Sequence, residues 1–238
     1  MQTSSKGIPR PNKKEWPETP RTRLSFRQAV IFDSLLKDLT NLSLAIIDDI
    51  FEQNPHNSTF PLGSEPIENY LSGFEIQFVP IERVDDWNRF PHFCSPLSDG
   101  IISPRFVEGF WHLDNDKRII FVFFKTTSNP ERQRFTVIHE LFHACQSLDL
   151  LFCKELDTIY ETSGLPEEAI LYLLERATDK ATTNYLMPAQ SFRQAYAQSK
   201  NLNSLVKFFG VSRKAVEIRI EECCRYPEPK MKVSTNVR

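Results

Sequence analysis

The spacing of apolar residues divides the chain into a helical opening, a strand-rich middle and a helical second half. Val30, Ile31, Leu35, Leu39, Leu42, Ile46, Ile50 and Phe51 recur at helical spacing up to Asn54-Pro55. This predicts one long amphipathic helix over 25–53, or two abutting ones. Phe74, Ile76 and Phe78 alternate before Pro80, the period of a half-buried strand. Two further runs, 106–113 and 118–124, flank Asp114-Asn115-Asp116-Lys117 and read as a hairpin. The second run, Ile119 to Phe124, is almost wholly apolar, as suits a strand covered on both faces. It is also the expected sheet edge along which an extended peptide could lie. Residues 82–105 have no period and read as a loop on one wall of a cleft.

Helical signals then take over. Ser128-Asn129-Pro130-Glu131 reads as a capping box with an early proline, starting a helix that carries Phe135, Ile138, Leu141, Phe142 and Leu148. A second helix is expected from Pro166 to Met187, with Glu167 and Glu168 in its first turn and Pro188 as its stop. Shorter helices are predicted at 190–199 and 202–209, and another from Ser212. The resulting fold class is α+β.

Composition narrows the setting. At 238 residues and 40% hydrophobic side chains the chain can bury a core, and a formal charge of -2 gives no global pull toward nucleic acid. The first 24 residues hold four prolines and six basic side chains against two acidic ones, and read as a disordered basic tail. They contain no apolar stretch of the kind a secretory signal needs, and no apolar run has membrane-spanning length. A cytoplasmic protein is expected. Its five cysteines, Cys94, Cys145, Cys153, Cys223 and Cys224, form no Cys-x-x-Cys pair and read as reduced thiols.

The residues that carry chemistry are His139-Glu140-Leu141-Phe142-His143. Positions four apart on a helix share a face, so both imidazoles can address one ion. Zinc accepts two neutral imidazoles and a carboxylate and keeps a fourth position for water. Glu140 can then serve as the general base that takes a proton from that water. Downstream carboxylates from Asp149 to Asp179 could supply the third ligand. Glu175 is the best placed, on a stripe with Leu171, Thr178 and Thr182, while Ala177 and Ala181 would let its helix approach closely. An ordinary solvated charge paired with Arg176 or Lys180 explains Glu175 equally well on pattern alone. Asp179, one turn on, could orient a ligand imidazole through its free N–H. His56, His92 and His112 stand alone, although His112 could face the cleft. Tyr160 and Tyr185 are candidates for oxyanion stabilisation that nothing separates.

The run Glu131 to His143, with Arg132, Arg134, Phe135 and Thr136 leading into the histidines, resembles the metal helix of the ImmA/IrrE metallopeptidases. Two more blocks resemble that family in the same order: Glu175, Asp179 and Leu186-Met187-Pro188, then Phe209-Gly210-Val211-Ser212 through Ala215-Val216 to Arg219. The resemblance implies a zincin-like metallopeptidase with a small twisted sheet, a metal-binding helix and a helical C-terminal half. It implies His139, His143 and Glu175 as zinc ligands and Glu140 as the base. It also implies a protein substrate, typically a helix-turn-helix transcriptional repressor cut at one site. Phe142 departs from the family's usual glycine, and Ala181 and Thr182 replace its usual Phe-Ala pair. The expected organisation is a tail (1–24), an N-terminal helical segment (25–60), a peptidase domain (61–225) with a helix-turn-helix-like end, and a flexible tail (226–238). The alternatives are an idle metal-binding regulator that sequesters its partner, and a DNA-binding factor using residues 205–220. For that last segment the resemblance favours packing within the peptidase fold over direct DNA contact.

Overall fold

The computed structural model describes residues 23–54, 59–82 and 108–225. The expected leader before Arg23, the loop expected at 82–105 beyond Glu82, the tail after Arg225, and His56, His92 and Cys94 lie outside the described residues.

The opening stripe forms one helix, α1 (Phe26–Gln53), closed at its start by a capping box between Ser25 and Gln28. A short helix, α2 (Glu65–Tyr70), leads into β1 (Glu75–Ile81), and the hairpin follows as β2 (Gly109–Asp114) and β3 (Ile119–Lys125). The three strands form a sheet in the order β1-β3-β2, with β1 parallel and β2 antiparallel to β3. β3 is therefore central and cannot be the edge expected of it. Its composition explains the placement, because Ile120, Val122 and Phe123 are fully buried and an edge strand could not cover such a run. β1 carries Glu75, Gln77 and Pro80, residues that an edge tolerates.

The second half is helical: α3 (Pro130–Leu148), α4 (Leu150–Thr162), α5 (Glu167–Leu186), α6 (Ala189–Gln198), α7 (Leu202–Phe209) and α8 (Arg213–Ile220), with a π turn over Glu221–Arg225. The cap of α3 is Asn129 and not the Ser128 of the expected box; its side chain accepts from Arg132 N at 2.9 Å, and Pro130 takes the first turn. Ser128 instead donates to Glu108 at 2.7 Å. Sequence pattern also missed α4. Asp149 ends α3 in an extended conformation and caps α4, accepting from Phe152 N at 2.7 Å, so no glycine or proline marks the break.

Two cores result. In the first, Ile46, Ile47 and Ile50 of α1 pack with Ile120 and Val122 of the sheet, Leu141 and Phe142 of α3, and the buried faces of α7 and α8. In the second, Phe32 and Leu39 of α1 pack with Phe152 and Ile159 of α4 and Leu173 of α5. One helix thus backs both.

The helix-turn-helix-like segment is part of the first core, through Leu205, Phe209, Val211 and Val216. Gly210 closes α7 at φ 59°, a left-handed turn that favours glycine. Arg134 of α3 donates to the Phe209 and Gly210 carbonyls, both at 2.7 Å, and to Leu62 O. Arg219 is buried and spent internally, donating to Met187 O and Asn184 Oδ1. Among the described residues no helix is long and apolar enough to cross a membrane.

These anchors predict unequal costs for two arginines of one helix. Arg134→Leu strands three backbone acceptors and should destabilise the protein by about 1–3 kcal/mol in urea unfolding. Arg132→Leu loses only a surface pair with Glu108 (3.2 Å), so its cost should stay below about 1 kcal/mol.

Candidate metal centre

α3 and α5 pack against each other, and Ala177 and Ala181 of α5 are both fully buried, Ala177 in the core shared with α1 and α4. On the facing surfaces His139 Nε2 and His143 Nε2 stand 3.1 Å apart. Glu175 reaches both, with Oε2 3.4 Å from His139 Nε2 and Oε1 3.2 Å from His143 Nε2. All three residues are buried, Glu175 at 9% exposure. Tetrahedral coordination with bonds of about 2.0–2.1 Å places neighbouring donors about 3.3–3.4 Å apart. The observed triangle matches that spacing, so the donor set fits a metal ion such as zinc.

The far ring nitrogens have separate partners. Asp179 Oδ1 lies 3.3 Å from His139 Nδ1 and its Oδ2 lies 3.8 Å from Arg176 Nη1. Thr178 Oγ1 lies 3.4 Å from His143 Nδ1. The structure thus brings together His139, His143, Glu175 and Asp179, and it adds Thr178. The sequence had placed Thr178 on the same stripe, but a hydroxyl there carries no signal of its own.

Glu140 is 1% exposed and points toward the edge strand β2. A methyl group added at Gly109 would come within 2.4 Å of Thr136 Cγ2, 2.7 Å of the Phe123 carbonyl oxygen and 3.3 Å of Glu140 Oε1. Only glycine lets β2 lie this close to Glu140. Among the described strands, the sheet edge that lies beside Glu140 is therefore β2 and not β3.

The remaining expectations resolve around this geometry. His112 alternates with Trp111 and Leu113, which pack on the core, so it projects from the other face of β2 with Phe121 beside it. Burial holds its imidazole below the ordinary value, against the opposing pull of Asp114. Tyr185 donates to Gly63 O at 2.9 Å and is buried between the Phe142 and Phe51 rings, which removes it as an oxyanion donor. Tyr160 is partly exposed on α4. Phe142 also points away from the triangle, edge-on to Tyr185 at 5.5 Å. Cys145 is a buried free thiol, Cys223 is buried and Cys153 is half-buried.

A three-stranded sheet over a helix that presents two histidines toward a carboxylate on a second helix defines a zincin-like α+β domain. Residues 108–221 match the Peptidase_M78 model, the IrrE N-terminal-like domain, in line with the family that the three sequence blocks resemble. A solved structure of a Mycobacterium tuberculosis transcriptional regulator shares the fold, with a TM-score of 0.51 at 14% identity over 83% of this chain and 53% of that one. The chain thus spans about half the length of that regulator. No curated protein matches the sequence.

Elemental analysis of the purified protein should find about one metal ion per chain, as three protein ligands with an open position hold. His139→Ala or His143→Ala should abolish stoichiometric metal, and full occupancy in either would refute the donor set. Glu175→Gln should weaken binding strongly. Asp149→Asn, at a helix cap, and Glu168→Gln, on an exposed first turn, should leave it unchanged.

The close approach at Gly109 is testable separately. Gly109→Ala should cost about 1–3 kcal/mol of stability by overpacking. Adding Thr136→Ser, which deletes the nearest methyl, should recover part of that loss in thermal unfolding.

Proposed function

We propose that the chain is a zinc-dependent endopeptidase that makes a limited, site-specific cut in a protein partner, and that this partner is a helix-turn-helix transcriptional repressor. The observation that carries the proposal is the buried His139-His143-Glu175 triangle with Glu140 turned toward the edge strand β2. His139, His143 and Glu175 act as the ligands, and Asp179 orients His139. Bound zinc supplies Lewis acidity toward a peptide carbonyl and an attacking water. β2 offers backbone groups along which an extended peptide can align. Glu140, one residue from a ligand, takes the water's proton and returns it to the leaving amine.

Two further observations support the setting. The similar solved structure is named a transcriptional regulator, which suits a role in gene control. A free thiol at Cys145 suits a reducing cytoplasm. A DNA-binding role for residues 205–220 draws less support, because Arg219 is spent internally and Arg213 pairs with Glu217 at 3.2 Å.

Glu140→Gln separates a peptidase from an idle binder. The amide keeps size and polarity but cannot accept a proton, so metal content and partner binding should persist. Cleavage should fall by a factor of about 10²–10⁴. The test is co-expression with a small helix-turn-helix repressor encoded beside it, followed by intact mass of the repressor. Cleavage by wild type alone supports the mechanism, and equal cleavage by both proteins refutes the role of Glu140. Tight binding without cleavage by either favours sequestration.

A further inference from the structure

A chain of buried polar groups runs from α1 to the metal triangle. Ser43 Oγ lies 2.8 Å from Leu39 O, a group that can only accept. Its proton is committed there, so Ser43 accepts from Gln146 Nε2 at 2.9 Å. That contact orients the Gln146 amide, turning Oε1 to Thr178 Oγ1 at 2.8 Å. The other neighbour of the Thr178 hydroxyl is Leu174 O at 3.0 Å, also purely an acceptor. Whichever of the two takes the single hydroxyl proton, Thr178 has only lone pairs left for His143 Nδ1 at 3.4 Å. A hydrogen bond between them therefore needs Nδ1 to carry the ring proton, which leaves the Nε2 lone pair on the side of His139 and Glu175.

We propose that Ser43, Gln146 and Thr178 are positioning residues that hold His143 in its Nδ1–H form with Nε2 free to bind metal. The inference rests on the metal-site reading above and extends it to α1, a helix outside the matched residues 108–221. Ser43, Gln146 and Thr178 are all buried, so no water competes for these bonds. The two imidazoles have different neighbours at Nδ1: the Asp179 carboxylate at 3.3 Å for His139, and for His143 an uncharged chain that ends on a backbone carbonyl of α1. Without Gln146, the Thr178 hydroxyl is freer to rotate its proton toward Nδ1. That would favour the Nε2–H form and oppose metal binding.

The test uses the full chain and two readouts other than activity. Zinc affinity, measured by competition with a chromophoric chelator, should fall about 10–100-fold in Thr178→Val. It should return to within a few-fold of wild type in Thr178→Ser, which restores the hydroxyl. Ser43→Ala, remote from the metal, should lower affinity in the same direction. The Ser43→Ala/Thr178→Val double variant should lose less than the two single losses combined. In the metal-free protein, ¹⁵N correlation spectra should show His143 protonated at Nδ1 in wild type and shifted toward Nε2–H in Thr178→Val. If Thr178→Val fails to fold, Ser43→Ala and Gln146→Leu give the same readouts. An Nε2–H ring in metal-free wild type, or unchanged tautomer and zinc affinity in the folded variants, would overturn the relay. If wild type binds no zinc yet its Nδ1–H form is lost in the variants, the relay stands and the metal reading falls.

Discussion

The structure depends on keeping a carboxylate, Glu175, buried within 3.4 Å of two imidazoles. Removing an ionised group from water costs several kcal/mol unless something nearby compensates. A divalent cation held by these three side chains would supply such compensation. The surrounding packing serves this constraint. Gly109 lets strand β2 close on α3 from the sheet side, because a side chain there would meet Thr136 and the Phe123 carbonyl.

α1 is what makes that closure rigid. A helix of 28 residues is about 42 Å long, enough to lie across two cores instead of one. Its C-terminal isoleucines lie under the metal helix, and its N-terminal Phe32 and Leu39 hold α4 and the start of α5. The two helices that carry the ligands therefore share a common backing element, and relative sliding of α3 and α5 would disturb both cores. Ser43 sits between the two groups of apolar contacts, where α1 faces the interior with a polar group. A polar side chain there is tolerated only because Leu39 O and Gln146 satisfy it.

Much of this was legible in the sequence, and the failures have physical causes. Helical periodicity marked α1, α3 and α5 because each buries one face against a core. The His139-Glu140 and His143 spacing located the metal helix, since residues four apart must share a face. The edge strand was misassigned because periodicity reports burial along a strand but not which neighbours it pairs with; the apolar run of β3 signalled a central position all along. α4 escaped notice because Asp149 breaks the chain through backbone conformation alone. The Ser43-Gln146-Thr178 chain left no trace, since each residue type is common on helices and only three-dimensional packing joins positions 43, 146 and 178.

The departures from the family pattern fit the same packing logic. Phe142 adds a ring where the family usually has glycine, and Ala181 removes one where the family usually has phenylalanine. The Phe142 ring packs edge-on against Tyr185, which lies one turn beyond Ala181 on the same helix. Tyr185 in turn stacks on Phe51 of α1 at 5.6 Å. Volume gained on α3 is thus matched by volume lost on α5 within one core, the exchange that interiors tolerate best. The Phe142 ring thus reaches α1 only through Tyr185, and this aromatic contact links the helices that carry His139, His143 and Glu175 to the helix behind them. The bulk at position 142 therefore belongs to the packing that supports the His139-His143-Glu175 group.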